Sequence, residues 1–136
     1  MEEIKMRKLV VIGGSAGSLR ALFRILAHIE PGFPFAILLA LHRQSGQDTQ
    51  LDEILLKRTG LMAKEVEEKD VIQTGCIYIC PADYHVLIEE NYTFSLDDSE
   101  KVNYSRPSID VVFMSAADVY GKDTVGVLLS GANADG

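Results

Sequence analysis

Apolar positions along the chain follow two periods, and their succession sets the element order. Residues 8–13 hold the run Leu9-Val10-Val11-Ile12, closed by Gly13 and Gly14. An unbroken apolar stretch of this length predicts a strand buried on both faces. Leu19, Leu22, Phe23, Leu26 and Ile29 then recur at helical spacing, with Arg20, Arg24 and His28 on the opposite face. Pro31 and Pro34 end that helix. Residues 35–41 are all apolar and predict a second buried strand ending at His42. Residues 43–48 are polar and read as a loop. Leu51, Ile54, Leu55 and Arg58 mark a short helix that Gly60 can cap.

The second half begins differently. Residues 76–80, 85–89 and 92–96 are short β-rich pieces separated by Pro81-Ala82-Asp83 and Glu90-Asn91. They predict a strand followed by hairpin-like antiparallel strands. Pro107 opens a helix running to about Tyr120, with Ile109, Val112, Phe113 and Ala116 on one face. Gly121 ends it. Residues 124–129 predict a last buried strand, and residues 130–136 form a small, polar, glycine-bounded turn. This order of apolar strands and helices predicts one α/β domain, with a mainly parallel sheet and a small antiparallel hairpin element.

Composition narrows the class. A chain of 136 residues suits a single domain. The longest apolar run is far below the ~20 residues that cross a bilayer. Met1-Glu2-Glu3-Ile4-Lys5 lacks the basic start and apolar stretch of a secretion signal. A cytoplasmic protein with no direct membrane insertion is expected. The net charge is −7, from 13 basic and 20 acidic side chains, and no basic stripe offsets it; nucleic acid is therefore not an expected partner. The stretch Glu65-Val66-Glu67-Glu68-Lys69-Asp70 mixes acids with apolar residues, as a solvated strand edge does. Cys76 and Cys80 fall on one face of a strand, too far apart to bridge and wrongly spaced for a zinc knuckle. They read as buried thiols.

Candidate chemistry collects beyond the carboxyl ends of the strands, where parallel α/β sheets bind their ligands. Ser15 sits in Gly13-Gly14-Ser15-Ala16-Gly17, a G-x-S-x-G stretch between a predicted strand and a predicted helix, as a nucleophile elbow requires. The glycines are expected to allow a tight turn that exposes the hydroxyl. Backbone N–H groups of the following helix start are candidate oxyanion donors. A phosphate-binding turn or a plain strand-to-helix turn is the competing reading. A dinucleotide fingerprint fits badly, because Ser15 occupies its second glycine position and no acid ends the second strand.

Of three histidines, His42 at a strand end is best placed as the general base. His28 reads as solvated, and His85 as packed or capping. The orienting carboxylate is expected at Asp135, beyond the last strand, with Asp48, Asp52 and Asp110 as alternatives. The resulting order Ser, His, Asp differs from the orders of α/β-hydrolases, chymotrypsin-like enzymes and subtilisins.

At these residues the chain resembles the catalytic domain of the chemotaxis protein-glutamate methylesterases. The stretches that carry the likeness are residues 11–17, the strand ending at His42, and Ile77-Tyr78-Ile79-Cys80-Pro81-Ala82-Asp83-Tyr84-His85. They continue with Arg106-Pro107-Ser108-Ile109-Asp110-Val111-Val112-Phe113 and residues 126–136. The resemblance implies a doubly wound sheet with helices on both faces. It implies hydrolysis of glutamate methyl esters on chemoreceptors, with deamidation of receptor glutamines as a companion activity. Ser15 is then the nucleophile, His42 the base and Asp135 the carboxylate. Backbone amides near Ala16 and Ala132 hold the oxyanion, and no metal or organic cofactor is implied. The expected partner is a methylated chemoreceptor cytoplasmic domain or a similar signalling protein.

Three places depart from the family pattern. Ala16-Gly17-Ser18 replaces Thr-Gly-Gly, Gly131-Ala132-Asn133 replaces Gly-Met-Gly, and Met114 stands where an arginine is common. Residues 1–136 are expected to form a single catalytic domain, without the family's receiver domain and cut short at its C-terminal end. The competing functional reading is a non-catalytic binding module on the same fold.

Overall fold

The structure, a computed structural model, describes residues 8–42, 50–102 and 106–129. Strand β1 (Leu9–Ser15) lies inside a five-stranded sheet. On one side it pairs with β2 (Ala36–His42), followed by β4 (Ile77–Ile79) and the edge strand β3 (Ala63–Glu65). On its other side lies β7 (Thr124–Leu129), and every neighbouring pair in the order β3-β4-β2-β1-β7 runs parallel. Strands β5 (His85–Ile88) and β6 (Phe94–Asp97) form a separate antiparallel hairpin.

Strand alternation explains the unbroken apolar runs. In β2, Ile37, Leu39 and Leu41 pack with Leu22 and Leu26 of α1 (Leu19–Leu26) and Leu51 and Leu55 of α2 (Leu51–Thr59). The intervening Ala36, Leu38 and Ala40 pack on the opposite side, with Val86 and Phe94 of the hairpin and with Ile109, Val112 and Ala116 of α3 (Ile109–Tyr120). Successive side chains point to opposite faces, so a strand covered on both sides must be apolar at every position. The sheet is therefore doubly wound. The chain winds from β1 through α1 to β2 and β4, then α3 returns it to β7 on the far side of β1. That reversal makes the carboxyl end of β1 a topological switch point.

Several elements differ from expectation. Helix α1 stops at Leu26, short of His28 and Ile29, and the last amides turn back onto Phe23, Ile25 and Leu26 carbonyls. Helix α3 starts one residue beyond Pro107–Ser108, with the Ser108 hydroxyl accepting from Val111 N–H at 3.3 Å. The short polar strand β3 carries no apolar signal, and it stands just before the acidic stretch expected to be a solvated edge. Strand β7 is not buried. It is the end strand of the sheet among the described residues, and Val125 and Leu128 are 41% and 45% exposed. An apolar run cannot tell a central strand from an edge, because that depends on what lies beside it. Gly60 caps α2 in the left-handed conformation, as expected. Cys80 is buried and Cys76 half-buried on the same face, with no disulfide.

Candidate active site

Ser15 and His42 are the last residues of two adjacent strands, and they are partners in the parallel register of β1 and β2. Neighbouring strands lie about 4.8 Å apart, so this pairing brings the two residues together at the carboxyl edge of the sheet. Register partners in a parallel pair also send their side chains to one side of the sheet. Both residues are half-buried. Ser15 keeps an extended backbone, and a short 3-10 turn at Ala16–Ser18 then leads into α1.

The glycines serve a different purpose from the one expected. Neither Gly13 nor Gly14 has a positive φ. Both are glycine because neighbours come close. A Cβ on Gly13 would lie 2.7 Å from Ile109 Cγ2, and one on Gly14 would lie 2.9 Å from Ser18 Oγ and 3.1 Å from the Leu129 carbonyl oxygen.

Ser18 is the residue that sequence reasoning passed over. It is 2% exposed. Its Oγ accepts from the Ser15 N–H at 3.2 Å and donates to the Leu129 carbonyl at 3.1 Å. Ser15 Oγ lies 3.4 Å from Ser18 Oγ, beyond the usual range of an O–H···O bond. In the sequence Ser18 stands out only as a departure from Thr-Gly-Gly, and no periodicity signals a hydroxyl that reaches across to β7.

The other candidates separate cleanly. His28 is exposed in the turn after α1. His85 is 1% exposed and both ring nitrogens are engaged: Nδ1 accepts from Ser108 N–H at 3.2 Å, and Nε2 lies 2.9 Å from the Glu100 carbonyl. Because a carbonyl only accepts, Nε2 carries the proton and the ring is held as one neutral tautomer. His85 is thus packed and capping. Asp52 lies exposed in the first turn of α2 and Asp110 half-buried in the first turn of α3. Asp48, Ala132 and Asp135 lie outside the described residues, so the structure brings together Ser15 and His42 and leaves the carboxylate unassigned. Among the described residues no group of three or more His, Cys, Asp or Glu side chains is arranged to hold a metal ion.

The family model for CheB methylesterase matches residues 10–136. The chain belongs to the CheB methylesterase family. A Leptospira interrogans protein with the provisional name protein-glutamate methylesterase/protein-glutamine glutaminase is 43% identical over 127 residues, covering 93% of this chain and 66% of that protein. The Nitrosomonas europaea protein-glutamate methylesterase/protein-glutamine glutaminase is 36% identical over 136 residues, covering 98% of this chain and 38% of that one. The crystal structure of the Thermotoga maritima CheB methylesterase catalytic domain superposes with a TM-score of 0.88 at 34% identity, covering 95% of this chain and 70% of that chain. This CheB-family chain thus spans between about two-fifths and two-thirds of these two curated relatives.

Proposed function

We propose that the protein is a serine hydrolase that removes methyl groups from glutamate methyl esters on the cytoplasmic domain of chemoreceptors, and that it also deamidates glutamines at such sites. The observation that carries this reading is the register pairing of Ser15 with His42 at the switch-point edge of the sheet. A hydroxyl is a weak nucleophile until a base takes its proton, and that base must sit within hydrogen-bond reach.

In the proposed reaction Ser15 Oγ attacks the ester carbonyl carbon while its proton passes to His42. The negative charge on the carbonyl oxygen is held by backbone N–H groups near Ala16 and Ala132. Collapse of the tetrahedral intermediate breaks the C–O bond, and His42 returns the proton so that methanol leaves. Water then attacks the acyl-serine with His42 again as base, releasing a free glutamate and restoring Ser15. With a glutamine substrate the leaving group is ammonia. Asp135 orients the imidazole and stabilises its charged form. Every step uses side chains, backbone N–H groups and water, and calls on no metal or organic cofactor. The substrate places the enzyme in the cytoplasm. No helix among the described residues is long and apolar enough to cross a membrane.

The test is methanol release from a purified, methylated chemoreceptor cytoplasmic domain. The wild-type chain is expected to release methanol catalytically, and Ser15→Ala to fall to background. Undiminished release by Ser15→Ala would move the chemistry to another residue. No release from the wild-type chain would favour the binding module instead.

A further inference from the structure

Ser18 joins the candidate nucleophile to the strand on its other side. Its single hydroxyl hydrogen goes to the Leu129 carbonyl, and a carbonyl can only accept. The oxygen's lone pairs are left for the Ser15 N–H at 3.2 Å. The chain of bonds therefore runs from the end of β1 through the Ser18 hydroxyl to the end of β7, where the register pairs Gly14 with Leu129. Room for this bridge exists only because residue 14 has no Cβ, since one there would meet both Ser18 Oγ and the Leu129 carbonyl oxygen.

We infer that Ser18 is a positioning residue for Ser15, fixing its backbone against β7 while leaving its hydroxyl to turn toward His42. The distances decide between gripping the backbone and sequestering the nucleophile. The N–H contact lies at the edge of the normal hydrogen-bond range, whereas the hydroxyl–hydroxyl separation of 3.4 Å is outside it. Ser18 thus holds the Ser15 main chain through its hydroxyl, while its own N–H faces the Ser15 oxygen as the other half of a capping box. An N–H there takes up a lone pair and leaves the Ser15 proton to pass to His42. Losing the bridge leaves the half-buried Ser15 N–H and Leu129 carbonyl each short of a partner, next to a position where Ser18 itself is buried. A shift of about 1 Å at a reacting atom can lower turnover by on the order of 10²-fold.

This inference rests on the esterase reading, and two readouts keep the two apart. One is the second-order rate at which a fluorophosphonate probe modifies Ser15; the other is kcat and KM for methanol release from the methylated receptor domain. Ser18→Ala is expected to lower kcat and the phosphonylation rate together by about ten- to a hundredfold. KM should stay within about twofold, and the pH midpoint of phosphonylation should not move, because His42 is untouched. Ser18→Thr, which keeps the hydroxyl, should recover most of the loss. Labelling of Ser18→Ala at the wild-type rate, or an equal loss in Ser18→Thr, overturns the inference. If Ser18→Ala loses its circular-dichroism signal, Ser18→Thr is compared with Ser18→Val, a pair of one shape with and without the hydroxyl; equal rates overturn it. Hydrogen exchange needs no variant: the Ser15 amide of the wild-type chain should be protected at least about tenfold over an unstructured peptide, and free exchange contradicts the bridge. If the wild-type chain is labelled no faster than Ser15→Ala, the esterase reading itself fails.

Discussion

At Gly13 an added methyl would meet Ile109 Cγ2 at 2.7 Å and two further Ile109 carbons at 3.2 Å, next to the residue pair proposed to do the chemistry. Ile109 is 2% exposed and opens α3, so it cannot swing into solvent to make room. Gly13→Ala should therefore overpack this contact, at a cost of about 1–3 kcal/mol. The melting temperature should fall by about 3–12 °C for a domain of this size. An unchanged melting temperature would show that α3 yields freely. That Ser15 and His42 end strands at one edge of the sheet was legible from sequence because each follows an apolar run, and such strand ends are where parallel sheets collect ligands. The reason for the glycines was not legible. Close approach between β1, α3 and Ser18 is a fact of three dimensions, and a glycine pair before a helix reads equally well as a turn.

Strand β4 shows how an element is anchored by one polar atom. Tyr78 is 3% exposed, its hydroxyl donates to the Val71 carbonyl at 3.0 Å and accepts from Gln73 N–H at 2.9 Å, and its ring meets Phe94 edge-on at 4.9 Å. Burial pushes its hydroxyl pKa up to about 12. A raised pKa contributes stability that is present in full below the unfolded value near 10 and is lost as pH rises through the folded value. Tyr78→Phe should cost about 1–3 kcal/mol at pH 7, because two backbone groups lose their partner. The gap from wild type should narrow between pH 10 and about 12 in denaturant titrations. A gap that stays constant through that window would place the effect in ring packing alone.

The edge strand β3 is held by a weaker device, the Lys64 ammonium 2.9 Å from the Asp70 carboxylate. Burial works to raise the Asp70 carboxyl, but Lys64 and the Glu67 N–H outweigh it and hold the group below its ordinary value. The hydrogen bond to Asp70 likewise raises Lys64. The pair therefore stabilises from above the unfolded Asp pKa near 4 to below the unfolded Lys value near 10, and its contribution is lost beyond either end. With Lys64 half-exposed, Lys64→Ala should cost only about 0.2–1 kcal/mol at pH 7 and nothing measurable near pH 2. A larger loss, or one that persists in acid, would mean that β3 depends on the lysine stem rather than on its charge. Neither anchor shows in the hydrophobic pattern, which revealed β4 and left β3 unmarked.

On the scale of the whole molecule, the order of apolar strands and helices was enough to read the parallel sheet, the antiparallel hairpin and the carboxyl edge that carries the proposed site. It was not enough to read which strand is the outermost. β7 carries an apolar run comparable to that of β1, and the neighbours of each decide its exposure. The same topology turns two residues 27 positions apart into register partners. The central claim is that Ser15 and His42 act as one catalytic unit, and a double-mutant cycle on methanol release from the methylated receptor domain tests it most directly. Ser15→Ala and His42→Ala should each lower kcat by at least about 10³-fold, and the double variant should be no slower than the worse of the two, as expected when residues share one step. Losses that multiply in the double variant would contradict the account, because each residue would then act without the other.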